Sequence, residues 1–202
     1  MLEIIQKGGP VMWPLLATSV VAVAVVIERM IFILRELECR NPALVGQILS
    51  HAENGELAKA VEIGKSSEDF VARTLVYGLS HRHRSFSSAL LQAANRELQR
   101  FSRGLPVLDT IVTLAPLLGL LGTVTGLIRS FGLLGAQELD APTAITGGIA
   151  EALIATAFGL SIAIVALIPL NYLNARGEEA RRDIEDASTH LELLLMEPAR
   201  RG

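Results

Sequence analysis

Ile145-Thr-Gly-Gly-Ile-Ala-Glu151-Ala-Leu-Ile-Ala-Thr156-Ala-Phe-Gly-Leu-Ser-Ile-Ala-Ile-Val-Ala-Leu-Ile-Pro-Leu170 is a largely apolar run with one charged group, a carboxylate, and its reading decides the fold. A run of this length meets the ~20 residues that an α-helix needs to cross hydrocarbon. An ionised side chain at the bilayer centre costs about 2.5–3.5 kcal/mol and is tolerated where it faces a bundle interior or a wet cavity. Glu151 lies six residues past Ile145, which puts it about 9 Å into the span at ~1.5 Å per residue, so the nearby interface relieves part of that cost. An acidic group placed there marks a functional position by default.

Two further stretches reach spanning length: Val11 to Leu34, interrupted by Glu28 and Arg29, and Leu105 to Ile128, interrupted by Asp109. Half of the 202 residues are hydrophobic and the charges are segregated along the chain, so composition and patterning agree on the class. The expectation is an all-α membrane protein with three transmembrane helices and long cytoplasmic helical extensions. Its parts are an N-terminal segment and first span at residues 1–35, a cytoplasmic helical loop at 36–104, a second span at 105–131, an outer connection at 132–144, a third span at 145–173 and a cytoplasmic C-terminal helix at 174–202. The first stretch runs on into Met30-Ile-Phe-Ile-Leu34 without a small-residue cleavage site, which reads as a retained span and not a secretory leader.

Orientation follows from lysine and arginine near the span ends. Arg35, Arg40, Arg96, Arg100, Arg103, Arg176, Arg181 and Arg182 fall on one side, against Lys7 and Arg129 on the other. The amino terminus and the 132–144 connection are therefore expected outside, with Trp13 anchoring the outer end of the first helix. Cys39, the sole cysteine, lies on the reducing side, which excludes a disulfide framework. No neighbour in sequence activates its thiol.

The cytoplasmic loop is patterned as short helices. Asn41-Pro42 reads as a cap followed by a first-turn proline, Asn54-Gly55 and Gly64 as stops, and Ser66-Ser67-Glu68-Asp69 as a new start. From Ser87 to Arg103 no proline or glycine intervenes, which predicts a helix running on into the second span as one rod. In the tail, Ile184, Ala187, Leu191 and Leu194 recur at helical spacing, and Glu178 to Arg182 is a favourable i to i+4 pair. Interspersed acidic and basic residues and a net charge of −3 argue against nucleic acid as a partner. The run His81-Arg82-His83-Arg84 has no nearby carboxylate or thiolate to complete a metal site and reads as a solvated loop.

No phosphate loop, metal-ligand spacing, or nucleophile flanked by a base is present, so neither an enzyme nor a cofactor or metal is expected. The glycines of Gly119-Leu-Leu-Gly122-Thr-Val-Thr-Gly126 lie inside an apolar span, where small residues let helices approach closely. At about 100° per residue, Asp109, Thr113, Pro116 and Thr123 share a narrow polar stripe on the second span. On the third, Gly148, Ala152, Thr156, Gly159, Ala163 and Ala166 form a small-residue seam with Glu151 at its edge. The bland alternative is that the threonines bond to their own backbone carbonyls and that Glu151 only complements the amino end of its helix dipole.

At these residues the chain resembles the MotA/TolQ/ExbB proton-channel family, and most closely its ExbB and TolQ branch. Leu114-Ala-Pro-Leu-Leu-Gly-Leu-Leu-Gly-Thr-Val-Thr-Gly126 is similar to the second-helix signature of that branch, and Gly147-Gly-Ile-Ala-Glu-Ala-Leu-Ile-Ala-Thr-Ala-Phe-Gly-Leu160 to the third. Gly8-Gly-Pro-Val-Met-Trp-Pro14 with Glu28-Arg29 is similar to the first helix. One departure stands out: Ala163-Ile164 is followed by Val165, with proline one turn later at Pro169, which moves the kink the family pattern implies.

The resemblance implies a bacterial inner-membrane protein assembled as a homo-oligomeric ring, a homopentamer among membrane lipids, enclosing the membrane helices of a single-span ExbD- or TolR-like partner that carries the proton-binding aspartate. A TonB- or TolA-like protein follows in such systems. The family's functional positions correspond to Thr123, Glu151 and Thr156, with Asp109 and Thr113 extending the ion pathway and Gly119, Gly122, Gly126, Gly148 and Gly159 packing the helices. The implied task couples the proton motive force to mechanical work on the envelope, either energised import through the outer membrane or envelope maintenance. A non-conducting membrane scaffold and a stator for gliding or motility are the alternatives, and sodium remains open as the coupling ion.

Overall fold

The computed structural model of the protein describes residues 8–133 and 141–196, and the side chains of all of these except 83, 84, 133 and 141–145. Lys7, most of the expected 132–144 connection, the last residues of the expected C-terminal helix, and the side chains of His83 and Arg84 therefore lie outside the described residues. The helices are α1 (Met12–Glu38), α2 (Pro42–Glu53), α3 (Leu57–Gly64), α4 (Phe70–Ser80), α5 (Arg82–Ser102), α6 (Leu105–Leu133) and α7 (Ala141–Met196). The chain is all-helical among the described residues, and α1, α6 and α7 are long and apolar enough to cross a membrane. It divides into two compact units: the residues up to Arg29 with Gly104–Tyr172, and Met30–Arg103 with the residues from Leu173 onward.

Beside a few buried large residues such as Met12, Leu15 and Leu108, the first unit packs small side chains inside and turns many large ones outward. Ala115, Ala152, Ala155 and Ala166 are buried, whereas Val20, Leu117, Ile128, Leu153, Ile164 and Ile168 face outward. This inversion of the usual globular arrangement suits a surface wetted by acyl chains, since lipid rewards apolar exposure and leaves only close packing to hold helices together. Pro116 and Pro169 both lie within helices that continue past them.

The second unit is built on ordinary caps. Asn41 accepts a hydrogen bond from the Leu44 amide at the start of α2, with Pro42 in the first turn. The α2–α3 connection turns at Gly55, whose φ of +76° favours glycine. Asp69 caps α4 by accepting from the amides of Val71 and Ala72. Val71, Leu75, Leu79 and Ile48 are fully buried beneath these turns, and Phe101 meets Phe32 and Phe70 edge to face at 5.5 and 5.2 Å.

Three expectations change. The rod expected from Ser87 into the second span is interrupted: α5 ends at Ser102, Arg103 takes extended ψ (132°), and Gly104 adopts φ +80° before α6 begins. The Gly104 carbonyl accepts from the amides of Val107 and Leu108 and so starts α6 afresh. A left-handed glycine ends a helix by the same mechanism wherever it occurs, and helical patterning on both sides concealed it. The His81 to Arg84 run is not a loop either, because α5 begins at Arg82 and kinks at Ser85 (φ −167°, ψ 103°). His81 ends α4, stacked on Tyr77 with the ring centroids 4.2 Å apart. Finally, within the single continuous helix from Ala141 to Met196 one expected pairing differs. Along that stretch the ion pairs formed are Arg176–Glu179 and Arg181–Glu185, in place of Glu178 with Arg182.

Candidate functional site

The first unit joins α6 and α7 along the seam of small residues. A Cβ placed on Gly159 would lie 2.5 Å from the Ala115 carbonyl oxygen and 3.1 Å from the Gly119 Cα, and one on Gly119 would lie 3.0 Å from the Thr156 Cα. Toward the other end, Gly122 faces Ala155, Gly126 faces Ala152 and the Gly148 carbonyl, and Gly148 faces Ser130. As the residue numbers rise along α6 they fall along α7, so the two helices run antiparallel with backbones nearly touching. Gly119, Gly122, Gly126, Gly148 and Gly159 all lie along this contact.

Thr156 donates its hydroxyl hydrogen to the Gly119 carbonyl at 2.8 Å, a bond between helices and not within one. Thr123 instead donates to Leu120 of its own helix at 2.6 Å, and Thr113 to Thr110 at 2.9 Å. The own-backbone alternative therefore describes Thr123 and Thr113 but not Thr156. Asp109 and Thr113 are exposed, with Pro116 and Thr123 half-buried beside the packed face. The polar stripe thus runs along the flank of the α6–α7 contact. Asp109 has no side-chain partner among the described residues.

Glu151 accepts a hydrogen bond from Arg129 Nη1 at 3.0 Å, joining the two helices one turn beyond the Gly126–Ala152 contact. Since α7 begins at Ala141, Glu151 stands nearly three turns inside it, and a helix dipole acts within the first turn only. The dipole reading of Glu151 fails on that ground, and a guanidinium partner replaces it. The chain segment before α1 completes the surroundings: a Cβ on Gly9 would fall 1.8 Å from Glu151 Oε1. Met12 and Leu15 are wholly buried, and Val11 approaches the Gly122 position.

Sequence reasoning missed both Arg129 and Gly9 as neighbours of Glu151. Arg129 counts in the sequence only as an outer charge, yet in an antiparallel pair the connected ends of the helices come together, and Arg129 and Glu151 both lie within three turns of those ends. For Gly9 no comparable signal exists. Among the described residues no group of three or more His, Cys, Asp and Glu side chains is positioned to hold a metal ion.

Two apolar spans packed glycine to glycine, a threonine bridging them, and an intramembrane carboxylate on an arginine are the features on which the comparison with known proteins can be judged. Residues 65–186 match the MotA/TolQ/ExbB proton channel family. The chain belongs to this family. It is similar to the biopolymer transport protein ExbB-like 1 of Synechocystis sp., at 38% identity over 98% of this chain and 80% of the relative. It is also similar to the biopolymer transport protein exbB1 of Vibrio cholerae, at 30% identity over 94% of this chain and 86% of the relative. To the Tol-Pal system protein TolQ of Pseudomonas aeruginosa it is 45% identical over 45% of this chain and 39% of the relative. Membership of the ExbB and TolQ branch of the MotA/TolQ/ExbB family follows, and with three apolar helices the chain is a multi-pass membrane protein of a channel and transport family.

Proposed function

We propose that this chain is the ring-forming subunit of an inner-membrane motor of ExbB–ExbD or TolQ–TolR type, which converts the proton motive force into mechanical work on the cell envelope. Five copies enclose the membrane helices of a single-span partner bearing a proton-carrying aspartate, and a TonB- or TolA-like protein takes up the motion. The amino terminus faces the periplasm, and residues 36–104 and 174–202 lie in the cytoplasm, a reading supported by the arginines at the span ends.

The observation that carries the reading is the Thr156 hydroxyl donated to the Gly119 carbonyl in the middle of an apolar contact. A hydroxyl has one hydrogen and two lone pairs. With its hydrogen directed at Gly119, Thr156 presents acceptor capacity to a neutral carboxylic acid and can redirect its hydrogen to the same group once it is ionised. Thr123, one turn from Gly119, offers the same chemistry on α6. A partner's aspartate that must pass between charged and neutral forms in lipid needs such a lining, because a buried polar group without a hydrogen bond is unfavourable in either form. Asp109 and Thr113 continue the polar track along α6, and the Glu151–Arg129 pair shapes the potential at the far end.

The test is proton flux into proteoliposomes containing the chain purified with its co-encoded single-span partner. Replacing both Thr123 and Thr156 by valine keeps the volume and removes the hydroxyls, and flux is expected to fall about tenfold or more, equivalent to ~1.4 kcal/mol on the barrier. Full flux in the double variant overturns the reading and leaves the non-conducting scaffold, for which the glycine seam alone suffices. Flux that follows a sodium gradient in place of the proton gradient would keep the pathway and change the ion.

A further inference from the structure

The Gly8-Gly9-Pro10 segment lies across one end of the α6–α7 seam. Gly9 has φ +72°, and its carbonyl accepts the Met12 amide at 3.1 Å, so the chain turns there and enters α1. Gly8 is buried, with Met12 and Ile154 where its side chain would be. The backbone of Gly9 sits against the Glu151 carboxylate, and a Cβ there would overlap Oε1 at 1.8 Å and the carboxylate carbon at 2.7 Å. A carboxylate at the end of a flexible side chain moves aside readily, so the overlap alone is tolerable. What cannot survive the movement unchanged is the 3.0 Å contact with Arg129, because that contact and the Gly9 approach are made by the same oxygen, Oε1.

We propose that Gly9 is a positioning residue for Glu151: by presenting bare backbone it leaves the carboxylate room to lie on Arg129, and the turn that leads into α1 thereby holds the ion pair at one end of the α6–α7 seam. The inference rests on the pathway proposed above, and deepens it by assigning a role to a residue that touches neither the transported ion nor the threonines. Gly9 acts through Glu151, and its two properties are separable. Its φ favours glycine, and asparagine next best, whereas room for Oε1 is lost with any side chain.

The experiment is a double-substitution cycle on the complex of the chain with its partner, read both as proton flux in proteoliposomes and as the thermal unfolding midpoint in detergent. Gly9→Ala and Gly9→Asn are each expected to lower flux about threefold or more, in the range that directly coupled residues show, and their flux-against-pH profiles to coincide with that of Arg129→Gln. In a Glu151→Ala background, which has no carboxylate to displace, Gly9→Ala is expected to cause a clearly smaller loss, limited to the strain of its left-handed backbone. Equal multiplicative losses in both backgrounds, or an asparagine variant that behaves as wild type, overturn the inference, since either result assigns Gly9 to backbone conformation alone. If the threonine variants retain full flux, the pathway reading falls, and the unfolding midpoints still decide the inference: non-additive shifts for Gly9→Ala and Glu151→Ala sustain the positioning role, and additive ones refute it.

Discussion

Between α6 and α7 the closest contacts are made by backbone and small side chains, with Gly159 on Ala115, Gly119 on Thr156 and Gly126 on Ala152, beside the Arg129–Glu151 ion pair. In the other unit the comparable contacts are made by charge. Asp69, fully buried, accepts from Arg40 at 2.7 Å and from the Asn41 amide at 2.6 Å as well as capping α4, and Arg40 also holds Asp183 at 2.8 Å. Arg73 binds Glu36 and Glu97, each at 2.8 Å, and Arg100 adds a second cation to the same two carboxylates. Hydrocarbon provides no hydrophobic drive between helices, which leaves close approach and occasional hydrogen bonds. Where water is the solvent, apolar burial supplies the drive, and a buried carboxylate is accommodated once all its lone pairs are met. One unit should therefore be sensitive to volume, and the other to charge.

The largest break in this contrast is expected at Gly159. Leucine there would push into the Ala115 carbonyl, and loss of folded protein is expected on gel filtration in detergent. Alanine at the same place should cost about 1–3 kcal/mol, the range for overpacking, whereas Gly132→Ala, with nothing within 4 Å of the new carbon, should show no loss in the same thermal unfolding measurement. Next comes Asp69→Ala, which strands the Arg40 guanidinium's nearest partner contact and two helix amides. A loss of roughly 2–4 kcal/mol follows, and Asp69→Asn, which keeps an acceptor for the cap, should recover part of it. Unchanged stability in Gly159→Ala or in Asp69→Ala would erase the distinction between the units.

Smaller effects sharpen the comparison. Thr156→Val removes the hydrogen bond between helices and should destabilise by about 0.5–2 kcal/mol, while Thr123→Val, whose bond lies within its own helix, should change stability by less than about 0.5 kcal/mol. The smallest effect concerns Cys39. Its thiol donates to Glu68 at 3.3 Å, and that hydrogen bond, then desolvation, then the negative charge of Glu68 and Glu36 hold it above the usual thiol range. The raised value keeps the reactive thiolate scarce at neutral pH. Glu68→Gln should therefore speed alkylation by a maleimide at pH 7.5, about two- to threefold, and equal rates would mean that the carboxylate does not govern the thiol.

Much of this was legible in the residues, and what was not has physical causes. The spans showed because lipid demands long apolar runs, and the α2, α3 and α4 boundaries showed because Asn41-Pro42, Asn54-Gly55 and Asp69 act on backbone groups two or three positions away. The glycine seam showed through its spacing. Gly104 escaped notice because one glycine in a helical pattern is as often packed as left-handed, and only the φ of +80° distinguishes the two. Arg40 and Asp183 are 143 positions apart, a pairing that no local pattern encodes. The Arg129–Glu151 contact stood between these cases, since hairpin symmetry hints at it but the side-chain reach that completes it does not show in a sequence.

The antiparallel register of α6 and α7 bears on how such a gene can vary. Every contact of the seam pairs a residue with another at about the same remove from the turn, so adding or deleting codons between the two helices leaves all of the pairs matched. A single codon lost inside α6 is a different event: it rotates everything on one side by about 100° and turns Gly119 or Gly126 away from the neighbour that only glycine can meet. Drift in length is confined by this geometry to the connections, and within the two spans inheritance must proceed by substitution alone.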